Sequence, residues 1–268
     1  MFNFVVWDVS PVAVALGPFS VRWYGLLFAG GFWLSYRVLA HVFRREGRPE
    51  GDLDALAVYV VVATVVGARL GHFVFYEWDF LLDQPGRWLI KLVTPPFEGL
   101  ASHGAGIVIF VALYHYARRN GQSYRWLLDR LAIGAALTGG AIRVGNLMNS
   151  EIVGKPTWLP WGFIFRQNPE FSPVPRHPAQ LYEAIVCGLL FGLLLGWWSR
   201  TRERTPEGSL SGLFLLVVFS FRFLFEFQKE NQAPFEEGLA LNMGQMLSVP
   251  AVVVGVGLLV GAYRRKTH

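Results

Sequence analysis

Seven times along its 268 residues this chain runs for about twenty residues with few charges, the length a helix needs to cross the roughly 30 Å hydrocarbon core of a bilayer. The runs cover 18–41, 55–76, 98–117, 127–148, 179–198, 209–227 and 243–263. Lipid offers the backbone no hydrogen bonds, so such segments fold as helices. The expected fold is therefore an all-α polytopic membrane protein with about seven transmembrane helices, forming one integral membrane domain over 1–268. Composition agrees, since 53% of residues are hydrophobic and 16% charged, too apolar for an ordinary soluble domain. The single cysteine, Cys187 in "AIVCGLLFGLLLGWW", allows no disulfide framework or cysteine-based metal site and reads as a small core residue. The first Lys or Arg is Arg22, so the N-terminus lacks the basic start of a cleaved signal peptide and reads as mature sequence.

Loop charges set the orientation, because cytoplasmic loops collect Lys and Arg. "FRREGRPEG", "RRNGQSYR", "SRTRERTPEG" and the tail "RRKTH" fall on one side of an odd-numbered bundle, and "QKENQAPFEEG" on the other is acidic on balance. This places the N-terminus outside and the C-terminus in the cytoplasm. It also explains the net charge of +5 without a nucleic-acid partner. Between the second and third runs, "WDFLLDQPGRWLIKLV" reads as an interfacial amphipathic segment with Trp78 and Trp88 at headgroup depth. The Pro- and Trp-rich stretch 150–178, between helices four and five, reads as an ordered external loop or cap.

With that topology, the ionisable and polar residues inside the helices gather at one depth. Tyr24, His103, Gln180, Tyr182, Glu183 and Gln245 lie early in helices entering from outside, and Arg69, Arg143, Arg222 and Glu226 lie late in helices leaving. At about 1.5 Å of rise per residue, all fall within about 10 Å of the outer interface. Arg37, Asp129 and Arg130 sit instead near the cytoplasmic ends, where they snorkel or pair. Charges facing lipid are costly, so these groups should face one another across a polar cavity. Structural pairing is the plain alternative for Arg69 with Glu183, or for Arg222 with Glu226 at i, i+4. Several fixed guanidiniums in one layer favour a bound anion. Arg143 can hold a phosphate bidentately, Asn146 follows one turn later on nearly the same face, Gly145 leaves the surface open, and Glu151 comes where the helix reaches water. Small residues around His103 in "SHGAG" would admit a ligand.

The run "GGAIRVGNLMNSEIVGKP", with Arg143, Gly145, Asn146, Asn149, Glu151 and Gly154, resembles the signature of the prolipoprotein diacylglyceryl transferases. "VRWYGLLF", "GARLGHFVFY", "SHGAG", "RHPAQLYEA", "FRFLFEF" and "NMGQMLSVP" are similar to family blocks in the same order. Leu147 replaces the usual aromatic, Ile142 a glycine, Val218 a tyrosine one turn before Arg222, and "QKENQ" a basic-acidic-proline run after Glu226. The resemblance implies a bacterial inner-membrane, multi-pass enzyme with its active site toward the periplasm. It implies transfer of the diacylglyceryl group of phosphatidylglycerol to the lipobox cysteine thiol of a preprolipoprotein, giving a thioether and glycerol phosphate, with no cofactor. The site residues carried over are His103, Glu151, Tyr24 and Arg222 for catalysis; Arg143, Asn146, Arg222, Gly104, Gly154 and Gln245 for the lipid; and Arg69, Tyr182, Glu183 and Glu226 in support.

Thiol attack on the lipid carbon needs a base for the thiol, whose reference pKa is about 8.5, and a stabiliser for the leaving phosphate. His103 is the candidate base, and Glu151 is left with three possible roles: orienting the histidine, pairing with an arginine, or acting as base itself. A transporter would need polar residues continuing to the cytoplasmic end, where "GLLFGLLLGWW" and "VVVGVGLLVGA" are apolar. A metal-dependent phosphotransferase would need a carboxylate cluster where this layer is rich in arginine. A purely structural subunit would need no polar layer.

Overall fold

The computed structural model describes residues 4–94, 101–229 and 241–266. Its long helices are α1 (Trp23–Arg45), α2 (Glu50–Tyr76), α5 (Ser102–Arg119), α6 (Tyr124–Met148), α7 (Ala179–Thr201), α8 (Ser209–Glu226) and α9 (Met243–Lys266). Two short helices, α3 (Trp78–Asp83) and α4 (Pro85–Val93), form over the expected interfacial segment. Six of the described helices, all the long ones except α5, are long and apolar enough to cross a membrane. The 18 residues of α5 close on Arg118 and Arg119, and the expected start of that run at 98–100 lies outside the described residues.

The first run does not open as a helix. β2 (Val12–Leu16) and β3 (Phe19–Arg22) form an antiparallel hairpin, turning at Gly17 with φ +60° before Pro18. A glycine at positive φ followed by proline, between β-branched residues, is turn chemistry, and it delays α1 to Trp23. β1 (Val5–Trp7) runs parallel to β4 (Phe163–Phe165), which lies in the segment between α6 and α7. That segment closes over a small core of Leu147, Val153, Phe163 and Phe165, with Trp7 and Phe171 packed against it.

Residues up to 46 group with those from 128 onward as one compact unit, and 47–127 form a second. Within the second, α2 and α5 meet at glycines: a Cβ on Gly104 would lie against the Gly67 carbonyl and 2.5 Å from the Gly71 Cα. Small residues let membrane helices approach this closely. Arg69 donates to the carbonyls of Lys91 (2.7 Å) and Leu92 (3.1 Å) at the end of α4, and its guanidinium stacks over Phe73 at 4.6 Å. Trp88 is buried edge-on to Phe73, so it packs this unit together, whereas Trp78 is half exposed.

Within the first unit, one end of the bundle is closed by charge pairs. Arg130 Nε donates to both oxygens of Glu46 at 3.1 Å, its Nη2 donates at 2.7 Å, and the Trp198 indole adds a bond at 2.6 Å. Asp129 accepts from the backbone of Gly208 (2.7 Å) and Ser211 (2.8 Å) and from the Ser211 hydroxyl (2.7 Å). It thereby caps the first turn of α8, whose N–H groups have no partner within the helix. Asp129 and Arg130 are fully buried and paired, and neither snorkels; Arg37 is exposed over Trp33.

Removing the Asp129 carboxylate strands buried donors, each worth about 1–3 kcal/mol when left unsatisfied. Asp129→Ala is expected to destabilise the protein by about 3 kcal/mol or more, while the exposed Arg37→Gln stays within about 0.5 kcal/mol. Thermal unfolding in detergent measures both.

Candidate active site

The last turn of α6 carries the signature, and the chain beyond it folds back. Ser150 and Ile152 have φ of +53° and +57°, and the Glu151 N–H donates to the Asn146 carbonyl at 3.1 Å. A β-branched residue at positive φ is rare and is held only where its surroundings over-determine it. The turn brings the Glu151 carboxylate back to its own helix. Its Oε1 accepts from Asn146 Nδ2 (2.7 Å) and Asn149 Nδ2 (3.3 Å), and Gln180 donates to its backbone carbonyl. Arg143 in turn donates from Nη1 to Asn146 Oδ1 at 3.4 Å. Arg143, Asn146 and Glu151 thus form one continuous line.

A second line starts from the other edge of Arg143. Its Nε lies 2.7 Å from Glu183 Oε2, near enough for an ion pair although the N–H is not aligned on that oxygen. Glu183 Oε1 accepts from Lys229 Nζ at 2.6 Å, and Lys229 also donates to Glu226 Oε1 at 3.0 Å. Glu226 Oε2 accepts from Asn242 Nδ2 at 3.1 Å. Asn242 caps α9: its Oδ1 accepts from the Gln245 N–H (2.9 Å) while Gln245 Oε1 accepts from its N–H (3.1 Å). This reciprocal box satisfies two end donors of the helix. Gln245, expected to touch lipid, is buried and engaged in that cap.

Arg143 and Arg222 line one cavity of about 50 Å³, with Glu183, Cys187, Val218 and Phe225 among its other walls. The alternative of a structural Arg222–Glu226 pair is not met, because Glu226 faces Lys229 and Asn242. Among the described residues Arg222 has no ion pair or hydrogen bond. Val218, shorter than a tyrosine, leaves this cavity wall aliphatic. Cys187, expected in the core, borders the same space.

Gly145 does not leave an open surface. The Tyr24 ring fills it, and a Cβ there would come within 2.9 Å of Tyr24 Cδ2. The Tyr24 ring also stacks on Phe28. Tyr182 receives the Trp161 indole N–H at 3.0 Å and lies 3.2 Å from His177 Nδ1. Burial lowers the His177 pKa below its usual value. Gly154 sits where the loop meets two other strands of chain. Arg69, Gly104 and the backbone of His103 belong to the second unit, and the His103 side chain lies outside the described residues. Residues 230–240, which include most of the acidic stretch "QKENQAPFEEG", also lie outside them.

Sequence reasoning missed Lys229 and Asn242 as members of this network, and His177 as the neighbour of Tyr182. The signal for Lys229 was a basic residue three positions after Glu226, where α8 ends.

A Cβ on Gly154 would lie 2.6 Å from His177 Cβ, 2.7 Å from the His177 carbonyl and 2.8 Å from that of Gln228. Two of these are backbone atoms, so Gly154→Ala is expected to cost about 1–3 kcal/mol of overpacking and to displace Glu151. A melting curve and an activity assay on the same preparation test this, and wild-type values in both would contradict it.

Comparison with known proteins shows the family. The pattern of the family described as prolipoprotein diacylglyceryl transferase matches residues 11–261. A phosphatidylglycerol–prolipoprotein diacylglyceryl transferase of Chloroherpeton thalassium is 45% identical over 96% of this chain and 94% of its own. The enzyme of that name from Tolumonas auensis is 44% identical over 98% and 99%, and that of Porphyromonas gingivalis 40% identical over 97% and 95%. Matches of this extent make the chain a member of the prolipoprotein diacylglyceryl transferase family.

Proposed function

We propose that Arg143 and Arg222 hold the phosphate of phosphatidylglycerol while the lipobox cysteine thiol of a preprolipoprotein attacks the adjoining glyceryl carbon. Family membership, with relatives named phosphatidylglycerol–prolipoprotein diacylglyceryl transferase, supports the reaction: the chain transfers a diacylglyceryl group from phosphatidylglycerol to a prolipoprotein. A sulfur–carbon bond forms, the carbon–oxygen bond to phosphate breaks, and glycerol phosphate leaves with the bonding electrons. The observation that carries the assignment of residues is the cavity lined by two guanidiniums, one of which, Arg222, has no anionic partner among the described residues. Fixed donors aimed at a developing negative charge are the strongest catalytic device available to an active site that excludes water.

In this reading one transferase domain over 1–268 crosses the bacterial inner membrane seven times, N-terminus periplasmic and C-terminus cytoplasmic, with the site toward the outer leaflet. Support comes from Arg44–Arg45, Arg118–Arg119 and Arg200, which end α1, α5 and α7, against the polar network at the opposite ends of α6, α7 and α8. The partners are phosphatidylglycerol and preprolipoproteins in the bilayer. Asn146 positions Arg143, Tyr24 packs on Gly145, Glu183 and Glu226 support the charged groups, and Tyr182 joins Trp161 to His177 at the start of α7. Gly104 and Arg69 order the second unit, to which His103 belongs. Gly154 places the loop after Glu151, and Gln245 acts through the α9 cap, so neither is assigned a lipid contact. His103 takes the thiol proton as base, and Glu151, held by Asn146 and Asn149, is the alternative.

Purified protein given phosphatidylglycerol and a lipobox peptide is expected to yield a thioether-linked diacylglyceryl peptide and glycerol phosphate. Arg143→Lys keeps the charge but loses the planar fork, and the rate is expected to fall about a hundredfold or more, the usual size of a lost oxyanion donor. His103→Gln is expected to recover part of its lost rate between about pH 7 and 9, because the thiol, with a reference pKa of about 8.5, then ionises unaided. Arg143→Lys should stay impaired across that range. Parallel pH profiles of the two folded variants would transfer the base to Glu151.

A further inference from the structure

We infer that Lys229 is a positioning residue that leaves the phosphate-binding site one positive charge in excess and holds Arg143 available to the lipid. This rests on the reading of Arg143 as the phosphate grip. Only 2% of Lys229 is exposed, and it follows directly on the end of α8. A buried ammonium is tolerated when it is well paired, and Lys229 is paired twice, to Glu183 Oε1 at 2.6 Å and Glu226 Oε1 at 3.0 Å. The Glu183 carboxylate is therefore divided, one oxygen on Lys229 and the other 2.7 Å from Arg143 Nε. Arg143 keeps its Nη2 without a protein partner among the described residues, while Nη1 makes only the long contact to Asn146.

Taking the charged groups that line the cavity, Arg143, Arg222 and Glu183, with Lys229 and Glu226 paired behind them, gives three cations against two carboxylates. The excess of one positive charge matches the single negative charge of a phosphodiester. Glu151 is not part of the cavity lining and is held by amide groups, with Asn146 standing between it and Arg143. Without Lys229 the excess disappears, and Glu183 has only Arg143 to neutralise it, so the carboxylate competes with the lipid phosphate for that guanidinium. Lys229 is joined to the signature by its backbone as well. It forms an antiparallel bridge with Gly154, and the Lys155 N–H donates to the Gln228 carbonyl at 2.6 Å. One residue thus connects the carboxylate that holds Arg143 with the segment that follows Glu151.

The test is steady-state kinetics on the full-length protein in mixed micelles, varying phosphatidylglycerol and lipobox peptide separately. Lys229→Met is expected to raise the KM for phosphatidylglycerol about tenfold, the size of one charge-assisted hydrogen bond, with the KM for peptide within about twofold and kcat less affected. Lys229→Arg, which restores the charge, is expected to stay within about threefold of wild type in both. Adding Glu226→Gln to Lys229→Met restores the charge excess and is expected to recover part of the lipid KM. If Lys229→Met does not fold, Lys229→Gln replaces it, with an expected rise in lipid KM of about threefold, since a neutral donor keeps part of the pairing. A folded Lys229→Met or Lys229→Gln with a wild-type lipid KM, or one that changes both KM values equally, overturns the inference. Arg143→Lys measured alongside separates the two ideas. A normal lipid KM and kcat in that variant would overturn the phosphate grip itself, whereas a defect there with none at Lys229 overturns only the positioning role.

Discussion

The Glu183 carboxylate, divided between Arg143 and Lys229, is the contact on which the polar end of this bundle depends. A lone guanidinium between apolar helices is costly, and a guanidinium fully neutralised by its own carboxylate has little to offer a ligand. Dividing one carboxylate between two cations meets both demands. The cost is structural, because α6, α7, α8 and the start of α9 must all converge there. Each then needs an end that exposes no unsatisfied backbone, which accounts for the capping box at Asn242 and Gln245 and for the folded-back turn at Ser150 to Ile152.

The other end of the same unit shows what charges look like when no ligand is awaited. Arg130, Glu46, Asp129 and Trp198 are buried and mutually hydrogen-bonded, and Asp129 closes the α8 N-terminus directly. At the Arg143 end the pairing is incomplete: Arg222 stands without a partner among the described residues and a cavity separates the walls. The same helices carry both arrangements. One fixes the packing, and the other keeps binding capacity in reserve.

Much of this was legible in the sequence, and the parts that were not have physical reasons. Apolar run length gave the helices, because a bilayer enforces length and backbone satisfaction. The signature around Arg143 and Glu151 could be read because arginine and glutamate at the end of an apolar helix are costly enough to stand out. Pairing could not be read. Arg222 and Glu226 have ideal i, i+4 spacing, yet a lysine three residues further on takes the glutamate. Gly145 looked like an opening, but glycine equally admits a neighbour's ring, and Tyr24 occupies it. Cys187 looked like filler because its sequence neighbours are apolar, whereas its spatial neighbours include Arg143 and Arg222. β3 was absorbed into the first apolar run because hydrophobicity alone does not distinguish a lipid-facing helix from a short strand; Gly17 and Pro18 carried the distinction.

The central claim is that fixed guanidiniums in an apolar setting select an anionic phospholipid headgroup. The most direct measurement compares the rate of peptide diacylglycerylation in vesicles of phosphatidylglycerol with the rate in vesicles of phosphatidylethanolamine, with acyl chains and peptide unchanged. The ammonium of the second lipid would approach Arg143 and Arg222, so the account predicts turnover with phosphatidylglycerol and a rate near background with phosphatidylethanolamine. Equal rates with the two lipids would contradict it.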